Sequence, residues 1–109
     1  MRTLKFIVDG QIIKKDPDCN FDNLVPNTEG YLRAQFSFSR EWDGCVKVAS
    51  FCSAMGTEYP PQVLKDGRSC MIPAEALARY SYDVQVIGKK ENYKISTNKI
   101  TVLQEGGHI

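Results

Sequence analysis

Four cysteines, one histidine and a scatter of carboxylates are the groups through which this 109-residue chain could do chemistry. Cys19, Cys45, Cys52 and Cys70 are separated by 26, 7 and 18 positions, so no Cys-x-x-Cys pair is present. A structural zinc site usually takes at least one such close pair from a knuckle, and this spacing argues against it. The sole histidine, His108, stands beside Gly106-Gly107, where a fraying segment holds a general base poorly in register. A thiolate nucleophile wants an imidazole or a cationic pocket, and the only neighbour of that kind is Lys47, two positions from Cys45. Sharing one side of a strand does not make that pair catalytic. Asp9, Asp43 and Asp66 each precede a glycine, where the carboxylate bonds to the turn's own backbone. The residues therefore predict no enzyme, no cofactor and no metal site. Cys45, Cys52 and Cys70, flanked by Val, Phe, Met and Ile, read instead as small buried hydrophobes in strands.

Bulk properties narrow the classes further. With 42% hydrophobic and 25% charged residues the chain is far from the disordered regime, and its length suits one domain, 1–109, with one core. Fourteen basic and thirteen acidic residues leave a formal charge of +1, so no long-range field favours nucleic acid or an anionic membrane. No apolar run approaches the ~20 residues of a membrane helix. Met1-Arg2-Thr3-Leu4-Lys5 leads into a strand and does not resemble a secretory signal, which predicts folding in a cytoplasm. A disulfide framework would need an oxidising compartment, although a virion released from its host could oxidise later.

The elements that must position these groups are short strands. Leu32, Ala34, Phe36 and Phe38 alternate with Arg33, Gln35, Ser37 and Ser39, the period-2 signature of a half-buried strand. The corner Arg40-Glu41-Trp42-Asp43-Gly44 precedes a second run through Val46 and Val48, and the Asp-Gly pair predicts a central hairpin. A first hairpin is expected from Thr3–Val8 and Gln11–Lys14 around Asp9-Gly10, and another reversal at Asp66-Gly67 before Ser69–Ile72. The segment 15–30 reads as a long irregular loop anchored by Phe21, Leu24 and Val25. Pro60-Pro61 cannot donate to a ladder, which puts 57–64 at a sheet edge. Pro73 followed by Ala, Glu, Ala and Leu predicts one short helix near 73–80 packed on the sheet. Tyr82–Gly88 and Tyr93–Thr97 form a last hairpin, 98–103 completes the sheet, and 104–109 is a polar, Gly-rich exit with a flexible tail at 105–109. The expected fold is all-β: an antiparallel β-sandwich or partly open barrel of about eight strands.

Three aromatic residues are candidate contact residues. Trp42 could be a sugar-stacking platform, although plugging the end of the sandwich is the reading its size favours. Tyr59, beside Pro60-Pro61, is a candidate protein or glycan contact. Phe21 belongs to the long loop, which with the sheet edges offers surfaces for specific recognition.

The order of Phe36-Ser37-Phe38-Ser39, Glu41-Trp42-Asp43-Gly44, Asp66-Gly67-Arg68-Ser69-Cys70-Met71-Ile72-Pro73-Ala74-Glu75-Ala76-Leu77, Tyr82 to Gly88 and Ile95-Ser96-Thr97-Asn98 resembles small β-rich modules of tailed bacteriophages and prophages of Gram-positive gut bacteria. The likeness is to the N-terminal attachment domains of baseplate, tail-fibre or head-fibre proteins and spans about 31–105. It implies a non-enzymatic virion module, made in the host cytoplasm, that contacts other phage structural proteins in capsid, tail or fibre. Such modules often form trimers, so a homo-oligomer is among the expectations. In those proteins a coiled-coil stalk or receptor-binding tip commonly follows, and this sequence carries none. The resemblance supplies no site residues. Two alternatives stay open: a small phage-encoded inhibitor that blocks a host defence effector such as a nuclease, and a glycan-binding module.

Overall fold

The computed structural model describes residues 1–104 and is an open two-sheet β-sandwich. The tail 105–109 and His108 lie outside the described residues. The strands are β1 (Arg2–Asp9), β2 (Ile12–Lys15), β3 (Leu32–Phe38), β4 (Val46–Cys52), β5 (Gln62–Val63), β6 (Ser69–Met71), β7 (Ser81–Lys89), β8 (Lys94–Ser96) and β9 (Ile100–Leu103), and the only α-helix among the described residues is α1 (Ala74–Leu77). One sheet has the order β2-β1-β3-β6; the other runs β5-β4-β7, with β8 and β9 sharing the far flank of β7. Two sheets pack face to face and neither closes on itself, so the all-β expectation holds in its sandwich form and no closed barrel is made.

Two predicted reversals need correction. β3 and β4 do not pair: β3 lies between β1 and β6 in the first sheet, while β4 lies between β5 and β7 in the second. The expected central hairpin is a crossing from one sheet to the other. Asp66-Gly67 is likewise a crossing, from β5 to β6. An Asp-Gly pair makes a tight corner because glycine accepts positive φ, here +78° at both Gly44 and Gly67, but it does not dictate which strand receives the chain. A single-turn 3₁₀ helix at Arg40–Trp42 tilts the first crossing out of the plane of β3. Asp9-Gly10, residues 53–61 and the 90–93 segment join directly paired neighbours, β1 with β2, β4 with β5 and β7 with β8.

A third difference lies in strand direction. β1 and β3 are parallel, with Arg2 opposite Leu32 and Val8 opposite Phe38, in a fold whose other strand pairs are antiparallel. Parallel neighbours need a connection that carries the chain back to its starting end. After β2 descends beside β1, residues 16–31 cross to the other flank. This explains the long irregular segment. The Arg2 guanidinium ties it down by donating to the carbonyls of Asn20, Asp22 and Asn23, and Leu24 is buried beneath it.

Inward-facing positions follow the predicted alternation. Leu4, Phe6 and Val8 on β1 and Ala34 and Phe36 on β3 face Ala49 and Phe51 on β4 and Tyr82, Val84 and Val86 on β7, all buried. Each such fully buried large side chain contributes roughly 1.5–3 kcal/mol relative to exposure. The rings form a ladder along the first sheet: Phe21 to Phe6 at 5.4 Å, Phe6 to Phe36 at 5.3 Å, Phe36 to Phe38 at 6.0 Å and Phe38 to Trp42 at 5.2 Å between centroids. Pro73 caps α1 from outside and is not its first helical residue; its carbonyl accepts from Ala76 and Leu77. Four helical residues cannot persist alone, and buried Ala76 and Leu77 hold the turn against the core.

Polar staples lock the layers. Asn98 reaches from the β8–β9 connection to the opposite sheet: its amide N–H donates to the Gln11 carbonyl and its Oδ1 accepts from the Ile13 N–H at 2.8 Å. Gln104, expected in the polar exit, is buried, and its Nε2 donates to the Leu77 and Arg79 carbonyls at the end of α1.

The tightest contact is at Gly88. A Cβ there would meet Trp42 Cε3 and Cζ3 at 2.7 Å, although the glycine's own φ is not in the left-handed region. Gly88→Ala should therefore destabilise the fold by about 1–3 kcal/mol through overpacking, read from the urea midpoint. In a Trp42→Leu background the added cost of the same substitution should fall below about 0.5 kcal/mol; equal costs in both backgrounds would refute the contact.

Candidate protein-contact face

Asp66 and Glu41 are engaged by the turns they stand in. Asp66 Oδ1 accepts from the Arg68 and Ser69 amides at 2.8 and 2.7 Å, and Oδ2 accepts from the Ser69 hydroxyl at 2.7 Å. These bonds, the Arg68 amide first, hold its carboxyl at about 2. Glu41 is also lowered, chiefly by the hydroxyl of Ser39, which donates to it at 2.7 Å. That hydroxyl accepts from the Gly10 amide, so the first hairpin and the Trp42 corner share one network.

All four cysteines are free thiols. Cys45 and Cys52 are buried and Cys19 and Cys70 half-buried. Burial, aided by the nearby Asp66 carboxylate, pushes the Cys70 thiol up to about 12. Cys45 and Lys47 are not brought together as nucleophile and cation. The Lys47 ammonium donates to the Cys45 carbonyl and sits 5.2 Å from the centroid of the Phe38 ring, while the Cys45 thiol points to the Glu41 carbonyl. Among the described residues no three His, Cys, Asp or Glu side chains cluster as metal ligands, and no helix is long and apolar enough to cross a membrane.

The three candidate contact residues turn toward the core, Trp42 in the plugging role that its size favours. Trp42 is 0% exposed, its indole N–H donating to the Gly10 carbonyl at 2.8 Å, which removes it as a stacking platform. Tyr59 is buried as well, and its hydroxyl has no hydrogen-bond partner. The prolines beside it turn the chain so that Tyr59 pairs its amide with the Phe51 carbonyl and packs inward. Phe21 is half-buried as the last ring of the aromatic ladder, with Lys15 above it at 5.3 Å.

The structure brings out a different surface. On β4, Val46 and Val48 point away from the core, as does Ile87 on β7, because Ala49, Phe51, Val84 and Val86 claim the inner face. Register aligns Val63, Val48 and Ile87 across three strands, with Val46 one pleat along. Val46 is 65% and Val63 53% exposed, whereas the outer face of the first sheet sets Ile7 and exposed Ile12 among Thr3, Lys5, Lys14, Arg33 and Gln35. Val46, Val48, Ile87, Lys89, Lys90 and Glu91 border a shallow depression of about 640 Å³. Contiguous exposed aliphatics of this kind mark interaction sites more often than scattered single ones. Alternation in 46–52 and 82–88 was visible beforehand. Which half of it faced solvent was not, since apolar residues occupy both faces of β4.

The strand edges are a weaker candidate. β5 has two residues, β6 and β8 three each, and β2 and β9 four each, too short to template a long added strand.

No protein-family model matches the chain, and no curated protein matches it.

Two measurements follow from the titrating groups. Asp66 has its folded value below the ordinary carboxylate value, so the stability it contributes is complete above about pH 4 and lost as pH falls toward 2. Urea midpoints between pH 4 and 2 should fall less steeply for Asp66→Asn than for the parent; parallel slopes would contradict this. At pH 8 iodoacetamide should leave Cys70 unmodified in the native protein and alkylate it once urea unfolds the chain, as peptide mass mapping would show.

Proposed function

We propose that the chain is a non-enzymatic contact module of a tailed-phage particle, docking on capsid, tail or fibre neighbours through the outer face of β4, β5 and β7. The observation that carries this reading is the aligned row Val63, Val48 and Ile87 with Val46 beside it on the outer sheet face, Val46 and Val63 exposed and Val48 and Ile87 half-buried between them. A stable specific interface buries about 800 Å² per partner and concentrates its binding energy in a small apolar centre ringed by polar contacts. Four aliphatic side chains among lysines and serines have the makings of that centre. The likeness of the Trp-Asp-Gly corner, the Ile-Pro-x-Glu-x-Leu turn and the Thr-Asn step to phage attachment modules supports the same reading. In this fold those motifs serve as structural joints: the Trp42 plug, the α1 turn and the Asn98 staple.

Rigidity supports it too. Two sheets tied by the Trp42 corner and Asn98, with Gln104 fastening α1, present the outer face with little to order on binding, which lowers the entropic cost of association.

The test is incorporation. Particles purified from a phage or prophage-bearing strain that produces this chain should contain it in stoichiometric copy number by quantitative mass spectrometry. Val46→Gln with Val63→Gln, both at exposed positions, should leave the urea midpoint within about 0.5 kcal/mol of the parent yet cut incorporation at least tenfold. Absence of the parent chain from the particles overturns the proposal and favours a free inhibitor of a host protein. Full incorporation of the double variant moves the contact to another surface.

A further inference from the structure

The same face carries a charge pattern that selects its partner. In the row next to Val63, Val48 and Ile87, register places Val46 opposite Lys89 and Lys89 opposite Lys94. Alternation along β7 turns Lys89 outward with Ile87, because Val86 and Gly88 face the core and Trp42. Lys94, as its cross-strand partner, points the same way. Two like charges directly opposite on adjacent strands oppose sheet formation, and that repulsion is relieved when a carboxylate from outside sits between them. Lys90 adds a third ammonium at the border of the depression, held over the Tyr93 ring at 5.3 Å. The only carboxylate bordering the depression is Glu91. Asp83, further along β7 on the outward side, is engaged by the Thr101 hydroxyl at 2.6 Å.

Resting on the contact-face reading above, we infer that the partner is a different protein whose surface sets carboxylates around an apolar centre, so that Val46, Val48, Val63 and Ile87 meet that centre while Lys89 and Lys94 meet the carboxylates. A second copy of this chain is a poorer match, because its face offers Lys89, Lys90 and Lys94 with Glu91 as the one carboxylate bordering the depression, more like charge than opposite charge. Like-charge juxtaposition of that kind excludes wrong partners and sets register, while the aliphatic centre supplies the affinity.

The defined probe is a short peptide with leucine-tryptophan-leucine at its centre and glutamates at both ends, compared with its lysine-ended counterpart. Methyl-resolved NMR titration of the full chain should show shifts centred on Val46, Val48, Val63 and Ile87 with the glutamate peptide, and binding roughly fivefold tighter than with the lysine peptide at low salt. Raised ionic strength should erase most of the difference. Lys89→Glu with Lys94→Glu, at exposed positions, should keep the fold and reverse the preference. Equal response to both peptides, shifts centred elsewhere, or dimerisation of the parent chain through this face would each overturn the inference. So would the same methyl shifts on anionic phosphatidylglycerol vesicles without any peptide preference, which would assign the face to a membrane. A parent chain that enters particles through this face yet ignores the sign of the peptide refutes the charge assignment and leaves the contact role standing.

Discussion

The indole of Trp42 lying on the bare backbone of Gly88 is the constraint on which the sandwich depends. Trp42 leaves the first sheet at the end of β3, passes its N–H to the Gly10 carbonyl of the β1–β2 turn, and presses its six-membered ring where any side chain at 88 would collide. One residue thus spans the hairpin of one sheet and the central strand of the other. Around it, Ser39 accepts from Gly10 and donates to Glu41, and the Tyr93 hydroxyl donates to the Glu41 carbonyl from beyond β7. The corner is polar in composition and structural in role. Its removal would open the end of the sandwich where the aromatic ladder terminates.

Much of the layout is legible in the residues because period-2 alternation is a local property. β1, β3 and β7 can be read directly from Leu4, Phe6 and Val8, from Leu32, Ala34 and Phe36, and from Tyr82, Val84 and Val86. Strand partnership is less legible, because it is decided by which surfaces complete a shared core. Asp43-Gly44 and Asp66-Gly67 have the local chemistry of Asp9-Gly10, yet they hand the chain to the opposite sheet. The difference lies in neighbours remote in sequence: Trp42 needs Gly88, and β6 needs the open flank of β3. The parallel pairing of β1 with β3 leaves only an indirect trace, the length of the 15–30 segment that must carry the chain back.

The contact face was harder to read than the fold. Large aromatics beside turns invite a functional assignment, but Trp42 and Tyr59 are drawn inward by the apolar area they offer a small core. Val46, Val48, Val63 and Ile87 are inconspicuous in the sequence because an aliphatic residue in a strand is ordinarily core. Their outward setting emerges only when β4 is seen to bury Ala49 and Phe51, and β7 Val84 and Val86, on the inner face. The lysines beside them look like a solvated turn until register sets Lys89 against Lys94.

The parallel placement of β1 beside β3 also bears on how the chain finds its shape. A hairpin such as β1–β2 zips within microseconds, but its other flank waits for β3, and β4 cannot complete its ladder until β7 has been made. Topologies dominated by distant pairings climb to the native state over milliseconds to seconds. The inward apolar rows of β1 and β3 are therefore completed by β4 and β7, which come later in the chain, and Gln104 fastens the helical turn from the far end of the described residues. Joints between such distant segments, once made, keep the two layers in fixed alignment.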